Sequence, residues 1–95
     1  MIIPKTYKQF GRDIKVSLEP FDDLRTFNGL CSPDTGRIKL VKGLDTCHLE
    51  HVFLHEALHM MMNLMQRHDL YEDENFINVL SGLIHQMLHT GKGEI

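Results

Sequence analysis

The residues with the clearest chemical potential are His55, Glu56 and His59, the fixed letters of an H-E-x-x-H pattern within Val52-Phe53-Leu54-His55-Glu56-Ala57-Leu58-His59-Met60-Met61-Met62. On a helix, positions four apart stand one above the other with Cβ atoms about 5–6 Å apart, so two imidazoles reach one point. That spacing fits two bonds to a single Zn2+ ion. Glu56, beside the first imidazole, can take a proton from a water whose pKa the ion lowers to about 7. The chemistry so encoded is metal-assisted hydrolysis, with Glu56 as the catalytic base. Three fixed letters in five also recur by chance, more easily in a chain with seven histidines, where they would only edge a polar stripe. Context favours the chemical reading: Leu49, Val52, Phe53, Ala57, Leu58, Met61, Met62 and Met65 recur at helical steps, the setting the motif requires.

Those histidines need a helix with a defined start. Asp45 or Thr46 can cap it, Glu50 places a negative charge in its early turns, and the apolar pattern carries it to about Arg67. Upstream, Ile14, Val16 and Leu18 alternate with Asp13, Lys15, Ser17 and Glu19, the period of a half-buried strand that Pro20 stops. Asp22-Asp23-Leu24-Arg25 is a loop or a single turn of helix. Asn28-Gly29-Leu30-Cys31 reads as a second strand, Ser32-Pro33-Asp34-Thr35-Gly36 as turn formers of hairpin length, and Arg37 to Val41 alternates again. After a connection at His68-Asp69-Leu70-Tyr71, a second helix starts near Glu72 to Asn75. Phe76, Ile77, Leu80, Leu83, Ile84, Met87 and Leu88 recur along it until Thr90-Gly91-Lys92-Gly93 ends it. The fold class is therefore α+β: a small antiparallel or mixed sheet of two or three strands followed by two long helices.

A zinc site needs a third protein ligand. The second helix opens with Glu72, Asp73 and Glu74, and acidic residues there also have a purely structural reason, through the helix dipole and the free N–H groups. Glu74 is the best placed, because Asn78, Ser81 and His85 continue its stripe beside the apolar one. Glu72, Asp73 and His85 remain alternatives. If Glu74 ligates, His85 lies about 16 Å further along the axis and becomes a hydrogen-bonded histidine at the core edge. Cys47, His51 and His55 are also spaced by fours, but three stacked turns of a straight helix cannot reach one tetrahedral ion, which leaves His51 a supporting or surface residue.

Composition bounds the alternatives. The 95 residues suit one domain, 1–95, with 42% hydrophobic and 24% charged residues, as in an ordinary globular fold. A net charge of −3 without a basic run argues against nucleic acid as a partner. No apolar run approaches the roughly 18 residues of a membrane span, and Met1-Ile2-Ile3-Pro4-Lys5 does not read as a signal peptide. Two cysteines, Cys31 and Cys47, suit free thiols in a reducing cytoplasm better than a disulfide framework.

Taken together, Ile3-Pro4-Lys5, Asn28-Gly29-Leu30-Cys31, the strand Arg37-Ile38-Lys39-Leu40, Phe53 to His59, and Glu74-x-Phe76-Ile77-x-x-Leu80-Ser81-x-Leu83-Ile84-x-Gln86 resemble the small phage and prophage zinc-peptidase-like proteins. These are similar to minigluzincins and, more loosely, to ImmA/IrrE-type peptidases. The resemblance implies a short twisted sheet backed by an active-site helix and a glutamate helix, with zinc on His55, His59 and Glu74 and with Glu56 as general base and acid. It implies a peptide or protein substrate and a cytoplasmic setting in the host. No motif identifies the Tyr or His with which larger gluzincins stabilise the oxyanion; Tyr71 and His68 are candidates by position.

The mechanism so expected is peptide hydrolysis, with an extended substrate adding as a strand along the sheet edge formed by Arg37 to Val41. The competing expectation is a zinc-stabilised phage regulatory or binding protein with little or no peptidase activity. Its partner surface could include the Met60-Met61-Met62 run and Met65. A third, a metal-free regulatory protein, requires the motif to be accidental.

Overall fold

Alternating apolar residues dictate the sheet, and the computed structural model, which describes residues 1–20 and 27–95, realises four strands: β1 (Thr6–Gln9), β2 (Arg12–Glu19), β3 (Gly29–Ser32) and β4 (Arg37–Val41). Their order is β1-β2-β4-β3. β1 pairs antiparallel with β2, β2 pairs parallel with β4, and β3 pairs antiparallel with β4 in the register Gly29↔Leu40 to Ser32↔Arg37. The sheet is mixed, as the α+β reading allows, and β1 takes it beyond the two or three strands expected. The β1–β2 hairpin turns on Phe10 and Gly11, both at positive φ (51° and 74°), the backbone that a two-residue hairpin turn with right-handed twist demands. Asp22 to Arg25 lie outside the described residues.

Three helices follow: α1 (Thr46–Leu64), α2 (His68–Tyr71) and α3 (Glu74–Thr90). Asp45 caps α1, its side chain accepting from the His48 N–H at 2.9 Å. α1 stops at Leu64, short of Arg67, because Gln66 turns left-handed (φ 59°). Bonds from Arg67 N–H to Met62 O and from Gln66 N–H to Asn63 O, both 2.9 Å, close a Schellman-type end. The expected connection at His68 to Tyr71 is itself a helical turn. Asp73 then caps α3, accepting from the Phe76 N–H at 3.0 Å.

α1 lies between the sheet and α3. One side buries Phe53, Ala57 and Met60 against Ile14, Ile38 and Leu40 of the sheet, and another buries Leu58 and Met62 against Ile77 of α3. Met60 and Met62 are thus core residues, and of the methionines considered for a partner surface only Met65 is largely exposed. No described helix is long and apolar enough to cross a membrane.

Candidate metal centre

The third side of α1 carries its histidines, and α3 runs antiparallel beside it. His59 meets Glu74, His51 meets Ser81, and Cys47 meets His85, so residue numbers rise on one helix as they fall on the other. This register follows from the tight turn through α2 and from the apolar pairing of Leu58 and Met62 with Ile77. It brings the first residue of α3, Glu74, over the HExxH turn of α1.

The three groups converge. His55 Nε2 and His59 Nε2 are 3.2 Å apart, Glu74 Oε2 is 3.2 Å from His55 Nε2, and Glu74 Oε1 is 3.0 Å from His59 Nε2. A tetrahedral zinc with bonds of about 2.0–2.2 Å separates its ligand atoms by about 3.3–3.6 Å. The observed spacings match within a few tenths of an ångström, so His55, His59 and Glu74 form a group that could hold a metal ion. The donor set of two imidazoles and a carboxylate suits zinc and leaves a fourth position for water or substrate. Burial and the neighbouring His59 lower the His55 pKa, which favours the neutral imidazole that a metal requires.

Glu56 sits beside this group, buried at 7% exposure, and its Oε2 has no hydrogen-bond partner in the protein. Burial, and then the charge of Glu74, push its carboxyl up to about 7. An open cavity of about 670 Å³ fronts the site. Its walls include Gly29, Leu30 and Cys31 of β3, the motif residues of α1, and Tyr71, Glu74 and Asn78. β3 comes so close to α1 that a Cβ on Gly29 would stand 2.7 Å from Val52 Cγ1 and 3.0 Å from Glu56 Cγ. Only a glycine permits that approach.

Of the other candidate residues, Glu72 lines the cavity without joining the group, Asp73 is occupied as a cap, and His85 is hydrogen-bonded to Glu50, as a core-edge histidine should be. His51 bonds the Ser81 hydroxyl at 3.1 Å. The Tyr71 ring lies edge-on to that of His59, with centroids 5.1 Å apart, and lines the cavity; His68 is exposed and does not. The expected substrate edge needs correction. β4 is an inner strand, hydrogen-bonded on both sides, because β2 returns parallel to it; among the described residues, the free edge beside the cavity belongs to β3. Sequence reasoning missed the part Gly29 plays, though a glycine inside an apolar strand pattern signals close backbone approach. Comparison with known proteins gives no family: no protein-family model, no curated protein and no solved structure matches the chain.

Proposed function

We propose that this chain is a zinc-dependent peptidase of the gluzincin type, with His55, His59 and Glu74 holding the ion and Glu56 as general base and acid. The observation that carries the reading is the convergence of Glu74, from a second helix, on the two motif imidazoles at 3.0 and 3.2 Å. When bound, the ion supplies Lewis-acid polarisation of a carbonyl and acidifies a water. Glu56, buried with an unpartnered Oε2, takes the proton of the attacking water and later delivers it to the leaving amine. Tyr71, rather than His68, is the side chain at the cavity from which an oxyanion can be hydrogen-bonded. An extended peptide adds along the free edge of β3, main chain to main chain, with its scissile bond over the HExxH turn.

The test is Glu56→Gln in the full chain. It keeps the metal and loses chelator-sensitive cleavage of a peptide library; retained cleavage removes Glu56 from the mechanism. One observation favours a second reading, a zinc-stabilised regulatory or binding protein: Val79, Leu83 and Met87 form an exposed apolar stripe along α3, more than half accessible at each position. Wild-type protein that binds zinc yet cleaves nothing in the library would select that reading.

A further inference from the structure

At the far end of the seam between α1 and α3 lies a second set of ligand-type side chains. Cys47, in the first turn of α1, and His85 and His89, one turn apart near the end of α3, offer ligand atoms that all lie within 4.8 Å of one another. Cys47 Sγ is 3.9 Å from His85 Nε2, and the same nitrogen is 3.0 Å from Glu50 Oε1. His89 Nδ1 is 3.7 Å from that oxygen. Glu50 is 3% exposed, and its other oxygen meets the amino group of Met1 at 3.2 Å.

We propose that Cys47, His85 and His89, beside the buried Glu50 carboxylate, form a second, sulfur-containing site for a zinc-type divalent ion, which clamps the last turns of α3 to the start of α1. Tetrahedral bonds of about 2.3 Å to sulfur and about 2.0–2.1 Å to nitrogen place those ligand atoms about 3.5–3.6 Å apart, and nitrogen and oxygen ligands stand about 3.3–3.4 Å apart. The observed 3.9 Å between Cys47 Sγ and His85 Nε2 lies within about 0.4 Å of the sulfur–nitrogen spacing, and all three ligand atoms fall within 4.8 Å of one another. The two outer ligands, Cys47 and His89, are exposed and can adjust. Thiolate with imidazole selects zinc or cobalt over magnesium or calcium. Three protein ligands converge, and the buried Glu50 carboxylate, 3.0 Å from His85 Nε2, sets a negative charge beside them.

The fold gives such a clamp a task. Apolar anchoring of α3 ends at Ile84, while Leu83, Met87 and Leu88 are largely exposed, so the turn containing His85 and His89 is held by polar contacts. The two clusters sit at opposite ends of one seam, since Cys47 and His59 are about 18 Å apart along α1. His51 lies between them on α1, its ring stacked on that of His85, 7° from parallel with centroids 5.9 Å apart.

Cobalt separates the two sites, because a thiolate ligand gives a near-ultraviolet sulfur-to-cobalt charge-transfer band that two histidines and a glutamate cannot. The full chain, stripped by chelator and kept reduced, is expected to take two equivalents of Co2+ and to show this band. Cys47→Ser should abolish the band and lower the stoichiometry from two to one. His89→Ala should shift the midpoint of the band's titration by about tenfold or more. Cys31→Ser and His59→Ala should keep the band, and the latter reports separately on the peptidase centre. Absence of the band in the wild type, its survival in Cys47→Ser, or its loss in Cys31→Ser would overturn the proposal. Circular dichroism of Cys47→Ser, an exposed and near-isosteric change, checks that the fold is intact.

Discussion

Gly29→Ala is the most direct probe of how the sheet meets the motif helix. An added Cβ would lie 2.7 Å from Val52 Cγ1 and 3.0 Å from Glu56 Cγ, against ordinary contact from about 3.4 Å, so Val52 must retreat by about 0.7 Å and Glu56 by about 0.4 Å. Val52 is β-branched and held in one rotamer on a helix, so β3 and α1 have to separate. Overpacking of this kind costs about 1–3 kcal/mol, partly offset by the roughly 0.4–1 kcal/mol that a lost glycine removes from the freedom of the unfolded chain. A net loss of about 1–2 kcal/mol lowers Tm by about 4–16 °C in a domain of this length. Glu56 moves by a sizeable fraction of the 1 Å that can cost about a hundredfold in rate, so turnover should fall about tenfold. Metal content should stay unchanged, since the crowded atoms belong to Val52 and Glu56 rather than to a ligand. Scanning calorimetry, peptide cleavage and elemental analysis of one preparation read all three. An unchanged Tm with unchanged turnover would show that β3 does not press on Glu56 and would refute the geometry from which the site is built.

Gly82→Ala should do the reverse: it lies inside α3, its Cβ would meet only His51 Nε2 at 3.9 Å, and the change should stabilise by about 0.5–1 kcal/mol, read by denaturant unfolding. Glu74→Gln should weaken zinc binding at the His55/His59 pair by about a hundredfold or more in chelator competition, while leaving any sulfur-to-cobalt band untouched. In metal-free protein, Cys47 should react with an alkylating agent far faster than Cys31. Cys31 is half buried and its thiol is pushed up to about 12 by burial, then by the charge of Glu56, leaving a thiolate fraction of about 10⁻⁴ at pH 8. The sign is that of an acid whose charged form is disfavoured: raising pH towards 12 should recover the reactivity of Cys31, and mass mapping of the labelled peptides checks the order.

Local patterns carried much of this fold in the sequence, and the departures have local causes. The period-two runs at Ile14 and Ile38, the turn residues from Ser32 to Gly36, and the long apolar periodicities of α1 and α3 each report on their own neighbours, and so survive reading one at a time. β1 escaped because its hairpin turns on Phe10-Gly11, and a bulky residue at positive φ is not the usual turn signal. The end of α1 was placed too late because the left-handed residue that closes it is Gln66, where glycine or asparagine is the usual marker. The parallel pairing of β2 with β4 is a tertiary fact, and no window of sequence contains it; with it went the identity of the free edge. At the site, Glu74 was legible because its stripe on α3 borders the apolar face. The meeting of Cys47 with His85 depends on the register of two helices and was not.

That register explains how so small a chain can present a polar cluster at each end of one helix pair. Among the described residues, Leu58, Met62 and Ile77 are the buried apolar side chains between α1 and α3, with Met61, Phe76, Leu80 and Ile84 packed partly buried against them. A polar line runs beside this apolar one: His59 and His55 on Glu74, His51 on Ser81, Cys47 and Glu50 on His85. An ion bound there when the helices are docked, and not when they are apart, adds its binding energy to the docking, about 2.7 kcal/mol when free metal exceeds Kd by a hundredfold. Removal of metal should then loosen α3 before it unfolds the sheet and α1, whose core of Ile14, Ile38, Leu40, Phe53 and Met60 is independent of the seam. Hydrogen exchange with and without chelator distinguishes the cases. Protection lost mainly from Phe76 to Leu88 means that the ions hold the helix pair, whereas an even loss over both helices and the sheet means that apolar packing and metal act as one cooperative unit, contrary to this division.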